Sequence, residues 1–315
     1  MSIHSMTAPA DIHPRKGSGP GKRPGKGRGS AGGAGGAGKP QAVPPALEPS
    51  PQAALKPRSV GGSFVAFRAI TALMLREMST RYGRTPGGYL WAVLEPLGAI
   101  LVLSLGFSLM LRSPPLGTSF LLYYATGYTA FNLYQSLSNM VARAVDFSRP
   151  LLRYPAVTWV DALTARFLLN SLTGILVSAL LLGGILISLD TRVVLDPVPV
   201  VEAFLLAMLL GLGVGTLNAV LMGLFPIWEV AWSVATRPLF IASGVLFLYD
   251  DMPPTAQKIL WYNPLTHVTG LMHEGFYPIY RATHVSFAYV ILFGLVTLTM
   301  GALLMGRYHR EILNR

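Results

Sequence analysis

The chain has no cysteine in 315 residues. That excludes a disulfide framework and a thiolate-held metal. Charge is scarce as well. Asp, Glu, Lys and Arg make up 12% of the sequence, against 52% hydrophobic residues and a mean hydropathy of +0.49. Such a composition excludes an ordinary soluble domain and points to a polytopic membrane protein with a polar tail. Acidic residues are rarest, 14 against 25 Lys and Arg, which leaves a formal net charge of +11. The excess sits largely in the tail and the segment after it. It describes a membrane surface, with lipids as partners, and no nucleic-acid partner is expected. Catalytic signatures are missing too: the chain contains no GxSxG, no HExxH and no carboxylate pair at catalytic spacing. His267, His273 and His284 are too loosely spaced for a metal claim. No cofactor is expected in this chain.

Residues 1–60 are low in aromatics and rich in Gly, Pro, Lys and Arg. GKRPGKGRGSAGGAGGAGKP cannot bury enough surface to offset its ordering entropy, so a disordered tail is expected. No apolar core follows its charges, so it is no signal peptide. Gly25-Lys26 imitates a phosphate loop, but Pro20 and Gly27 stand where Gly and Ser or Thr are required.

Residues 61–315 form the membrane domain in this reading. Phe64, Phe67, Ile70, Leu73, Met74 and Met78 recur near helical spacing, which predicts a basic amphipathic helix at the interface. Six spans follow, at roughly 89–111, 119–142, 160–189, 200–224, 228–249 and 285–306. The basic tail, Arg143, Arg149, Arg153 and the C-terminal RYHREILNR place both termini in the cytoplasm. Asp250 to His284 is too apolar for a free loop and too interrupted for one span, so a short external re-entrant helix pair is expected. The fold class is all-α.

Several residues stand out within this frame. Arg81 to Pro96, RYGRTPGGYLWAVLEP, turns the chain from the surface into the bilayer. Arg81 and Arg84 suit lipid phosphates, Tyr89 and Trp91 suit the headgroup layer, and Glu95-Pro96 enters the first span. Residues 141–162 are short, basic and aromatic, with Pro150 and Pro155 framing LLRY. They fit a plain positive-inside loop first, and also a rigid element that docks on a soluble partner. Tyr124, Tyr128, Phe131 and Gln135 recur at helical spacing on the second span. Rings that stack on pyranose faces and amides that replace hydroxyl hydration make a sugar-conducting surface, and the same pattern serves helix packing. Arg237 lies midway in the fifth span, where a guanidinium needs a cargo contact, a wet path or a structural partner such as Glu229.

These residues carry a resemblance. LREMSTRYGRTPGGYLWAVLEP, residues 75–96, resembles the entrance signature of ABC-2 type polysaccharide-export permeases, in particular the permease of Gram-negative capsular polysaccharide exporters. The matching positions are Arg76, Glu77, Thr80, Arg81, Tyr82 and Gly83, then Gly88 to Ala92, Leu94, Glu95 and Pro96. RPLFIASGVLF at 237–247 resembles the family's fifth-span motif, and Asn263, Pro264, Leu265 and His267 its external N-P-L-x-H segment. The resemblance covers residues 64–315; the long tail departs from it.

It implies a homodimer of six-span subunits in the bacterial inner membrane. It also implies two copies of a separate ABC ATPase, which would bind ATP and Mg. The chain itself would hold no catalytic site, although the complex would hydrolyse ATP. Arg149, Pro150, Arg153, Tyr154 and Pro155 would lie in the coupling loop. Cargo would be a lipid-linked capsular polysaccharide, handed on to periplasmic and outer-membrane components. Export of O-antigen or teichoic acid by the same architecture is the near alternative. An ion-coupled secondary transporter or a membrane scaffold would be the distant ones.

Overall fold

A computed structural model describes residues 62–82, 87–152, 157–189 and 193–314, with the side chains of 62–65, 81, 82 and 89 left aside. The tail at 1–60, Gly83, Arg153, Tyr154 and Pro155 lie outside the described residues, and Arg81, Tyr82 and Tyr89 are placed by backbone alone. Among the described residues the regular structure is helical. The helices are α1 (Gly62–Tyr82), α2 (Tyr89–Met110), α3 (Phe120–Ala142), α4 (Ala144–Leu152), α5 (Trp159–Ser188), α6 (Pro197–Leu224), α7 (Ile227–Ile241), α8 (Pro254–Leu260), α9 (Pro264–Phe276) and α10 (Phe287–Asn314).

Four of them, α2, α5, α6 and α10, are long and apolar enough to cross a membrane. The run over 119–142 does form a helix, α3. However, its Tyr, Thr, Asn, Gln and Ser content keeps it out of the apolar set. The expected 228–249 span is interrupted. Helix α7 stops at Ile241, and Gly244 takes φ +78°, a left-handed conformation that disfavours any side chain. Pro238 begins the break because it has no N–H for the helix ladder. The last helix runs to Asn314, past the expected end at 306, because Met305 and Ile312 are buried on its inner face.

Helix α6 is the scaffold. Asp196 caps its start by accepting from the Val198 amide, and Pro197 sits at the first helical position, where its missing N–H costs nothing. Its middle reads GLGVG, and successive glycines serve two neighbours. A Cβ at Gly215 would lie 2.8 Å from Val141 Cβ and 2.9 Å from the Ser138 carbonyl of α3. On the other side α10 brings Gly301, whose Cβ would lie 2.6 Å from the Leu217 amide nitrogen. Small residues thus let three backbones approach, the usual source of tight packing where lipid removes the hydrophobic drive between helices. At one end of the bundle sit α1, α4 and the C-termini of α3, α6 and α10. At the other, α9 is tied to the start of α6 by the Asp196 amide donating to the Gly275 carbonyl, 2.9 Å.

Gly301→Ala meets backbone rather than a flexible side chain, so it should destabilise by about 1–3 kcal/mol, as overpacking does. Gly306→Ala, where an added Cβ meets nothing within 4 Å, should not. Thermal unfolding of the detergent-solubilised chain measures the contrast.

Candidate functional site

Helix α1 does not present a clean apolar face to the bundle. Leu73 and Glu77 are buried, whereas Phe67, Leu75 and Met78 point outward. Glu77 turns inward because Arg166 of α5 meets it: Arg166 Nε donates to Glu77 Oε2 at 3.1 Å, and both residues are under 10% exposed. The same guanidinium donates through Nη1 to the Met140 carbonyl of α3, 3.0 Å, and lies 4.3 Å over the Phe147 ring of α4. Arg76 approaches that ring as well, at 5.2 Å. Phe147 is therefore held by two cations, and α1, α3, α4 and α5 meet in one knot. The two charges compensate each other and the arginine also satisfies a carbonyl, while Glu77 Oε1 and Arg76 Nη1 are buried with no hydrogen bond among the described residues.

Helix α4 occupies the predicted coupling stretch. Pro150, expected with Pro155 to frame a rigid docking element, lies inside the helix and is exposed. Arg149 donates to Asp146 Oδ1 at 3.0 Å and to the Ile312 carbonyl at 3.3 Å, which ties α4 to the end of α10. Helix α5 begins with a capping box, Thr158 accepting from the Asp161 amide and Asp161 accepting from the Thr158 amide.

Polar cavities adjoin the knot. One of about 610 Å³ reaches from Glu77 and Arg166 to Arg143 and Glu229. A second, about 430 Å³, lies between α3, α6 and α7 and is walled by Gln135, Asn139, Trp232 and Thr236. A third, about 300 Å³, lies between α2, α3 and α5, with Glu95 and Tyr128 in its wall. Met140 borders all three. Arg143 donates to Glu229 at 2.8 Å where the first two meet. Both side chains are more than half exposed, so the pair contributes at most about 1 kcal/mol and can open readily.

The predicted stripe on α3 divides. Tyr124 is fully buried, its ring 5.1 Å from that of Phe107, and Phe131 packs 5.0 Å from Phe240. Tyr128 and Gln135 reach cavity walls. The cavity-facing set is Tyr128, Asn132, Ser136 and Asn139, one step round the helix, and a helical wheel drawn from Asn139 would have found it. Arg237 is exposed on α7 and borders none of these cavities; Glu229, one expected partner, is with Arg143. Trp91 is exposed near the start of α2, and Pro96 is buried within it.

The N-P-L-x-H residues mend the break after α7. Asn263 caps α9 by accepting from the Leu265 amide, while its Nδ2 donates to the Ala242 carbonyl at 2.9 Å. Pro264 is the first residue of α9, and Thr269 donates to the Ser243 carbonyl at 2.6 Å. Carbonyls that lost helical partners are thus satisfied by side chains. His267 Nε2 donates to the Trp261 carbonyl, 2.9 Å, and its Nδ1 accepts from the Ser286 amide, 3.3 Å, so both nitrogens of a neutral ring are used. Burial lowers the pKa of His267 and of His284, and pushes His273 down to about 4.

Glu77→Gln leaves a buried guanidinium without its counter-charge and should cost about 3–5 kcal/mol. Adding Arg166→Met should recover part of that loss, which a thermal double-mutant cycle reads. For the histidines, the folded pKa lies below the unfolded 6.5, so their neutral forms favour folding above that pH. Stability is then lost as pH falls from 6.5 towards 4. Hydrogen exchange over 261–286, corrected for intrinsic rates, should show less protection at pH 5 than at pH 7.5, and α6 should change little.

Comparison with known proteins bears on this arrangement. The ABC-2 type transporter family matches residues 68–277, from within α1 through the end of α9. Polysialic acid transport protein KpsM of Escherichia coli is 31% identical over 232 residues, which cover 74% of this chain and 90% of KpsM. Capsule polysaccharide export inner-membrane protein CtrC of Neisseria meningitidis serogroup A is 25% identical over 245 residues, 78% of this chain and 92% of CtrC. Its counterpart BexB of Haemophilus influenzae is 24% identical over 247 residues, again 78% and 92%. The chain belongs to the ABC-2 type transporter family.

Proposed function

We propose that this chain is the permease subunit of an ABC transporter that exports capsular polysaccharide across a bacterial inner membrane. The observation that carries the reading is the match to KpsM over 90% of that protein's length. The structure adds physical support. Helix α3 is central yet rich in amides and hydroxyls, and polar cavities lie on both its sides. A span of that kind suits a hydrated, uncharged or weakly bound cargo better than lipid.

The chain crosses six times in this reading. Helices α2, α3, α5, α6 and α10 each cross once, and α7 crosses with 242–248 as its unwound outer part. Phe247 supports this by reaching the ring of Phe107 near the far end of α2, 6.1 Å away. Both termini are cytoplasmic, α1 lies at the inner surface with Phe67 and Leu75 in the lipid, and α8–α9 is a re-entrant pair on the outer side. Two copies assemble, which covers the outer face of α7, where among the described residues no side chain is buried and Arg237 stands exposed. Two copies of a separate ABC ATPase bind ATP and Mg and dock on α4 and residues 153–155. Envelope components accept the lipid-linked polymer outside.

Force from the ATPase enters through α4 and passes to α1 and α5 by way of Phe147. Co-expression with the neighbouring ATPase should give a stable complex whose ATP turnover rises with lipid-linked polymer. Phe147→Leu removes cation–π contacts worth about 1–2 kcal/mol. It should keep the ATPase bound while polymer-stimulated turnover falls about tenfold. Failure of any ATPase to associate in detergent and in nanodiscs would overturn the reading.

A further inference from the structure

The cavity between α2, α3 and α5 has a chemistry of its own. Its polar wall includes Glu95 from α2, Asn132, Ser136 and Asn139 from α3, and Asn170 and Thr173 from α5, with Tyr128 and Ser178 beside them. Asn170 Nδ2 donates to the Arg166 carbonyl, and the Thr173 hydroxyl donates to the Leu169 carbonyl. The side chains of Glu95, Asn132, Ser136 and Asn139 make no hydrogen bond to a described residue. Among the described residues that line the cavity there is no Lys, Arg or His. Between the polar groups lie Pro96, Leu133 and Val177, which form apolar patches. At about 300 Å³ the space is at the small end of ligand sites.

We infer that this cavity binds an uncharged, hydroxyl-rich head group carried on a hydrocarbon chain. Amides offer both donors and acceptors to vicinal hydroxyls, and a carboxylate accepts from two of them. The apolar patches fit the C–H face of a sugar ring. A phosphate or carboxylate head would meet the Glu95 carboxylate, exposed in the cavity wall, with no cation among the described lining residues to offset the repulsion, which disfavours its entrance. The chain of such a ligand has a place to lie: Val102 and Leu109 follow Glu95 along the same side of α2 as exposed apolar side chains. The inference goes beyond the export reading and does not rest on it. The head group can belong to the transported glycolipid or to a resident neutral glycolipid, and the chemistry of recognition is the same.

The test uses the full chain in phosphatidylcholine nanodiscs and three photoreactive probes with one alkyl chain: a β-maltoside, a phosphocholine and a phosphate. Cross-linked positions are mapped by mass spectrometry. The maltoside should label segments around 92–96, 132–140 and 170–178 at least tenfold more than the other two. Asn132→Leu with Ser136→Leu should remove that labelling. Glu95→Lys, which spares every amide, should shift preference to the phosphate probe and serves if the double variant fails to fold. Competition by lipid-linked polymer alone would assign the site to cargo, and competition by a monoglucosyl diacylglycerol would assign it to a resident lipid; either supports the inference. Equal labelling by the three heads, labelling indifferent to these substitutions, or competition by neither lipid would overturn it.

Discussion

A carboxylate and a guanidinium held out of water dominate one end of this molecule. The arginine of the Glu77–Arg166 pair is supported by its neighbours: the Met140 carbonyl accepts a hydrogen bond from the guanidinium and Phe147 offers its ring face, while Glu77 Oε1 is buried with no hydrogen bond among the described residues. Each partner comes from a different helix. The pair therefore fixes the position of the surface helix α1, the start of α5, the end of α3 and the short α4 relative to one another. Displacing α1 or α5 leaves an uncompensated charge in the interior, and displacing α3 or α4 strips the guanidinium of a carbonyl or a ring face. Such a junction joins four helices through one buried pair, a geometry suited to passing a mechanical input between them.

The rest of the bundle is held by different physics. Glycines at α6 and α10 let backbones touch, so rigidity there comes from close packing. That packed trio sets one side of α3 against α6, while its other sides meet α2, α5 and α9 and carry the polar groups that border the cavities. Helix α7 is attached more lightly, through an exposed ion pair at one end and side-chain caps from α9 at the other. Cavities on either side of α3 are the consequence. A tight core flanked by a loosely held helix and polar voids suits a subunit that must part from itself or a partner during transport.

Much of this was legible in the chain. Apolar runs of bilayer length located α2, α5, α6 and α10, and the aromatic and basic flanks located the start of α2. Three things were hidden. The partner of Glu77 lies 89 residues away, and no local pattern links a surface-helix carboxylate to an arginine at the foot of a later span. The break in α7 could be suspected from Pro238, but its position depends on Asn263, Thr266 and Thr269 being present to satisfy the freed carbonyls. No helix was foreseen at 144–152, where packing of Ala144, Val145 and Ser148 outweighs the backbone bond that Pro150 cannot make. On α3 the aromatic stripe read from spacing runs partly into the core, because rings fill gaps between helices as readily as they line a path. The amides beside it border the cavities.

The central claim is that α4 and α1 move together through Phe147. Absence of native cysteine allows labels to be placed freely. Spin labels at Ser79→Cys and Asp146→Cys, both exposed positions on α1 and α4, would report their separation by pulsed electron paramagnetic resonance in the complex with its ATPase. The account predicts a narrow intrasubunit distance component, the same without nucleotide and with ATP bound, which broadens when Phe147 is replaced by Leu. A shift of α4 away from α1 on ATP binding with Phe147 intact would contradict it.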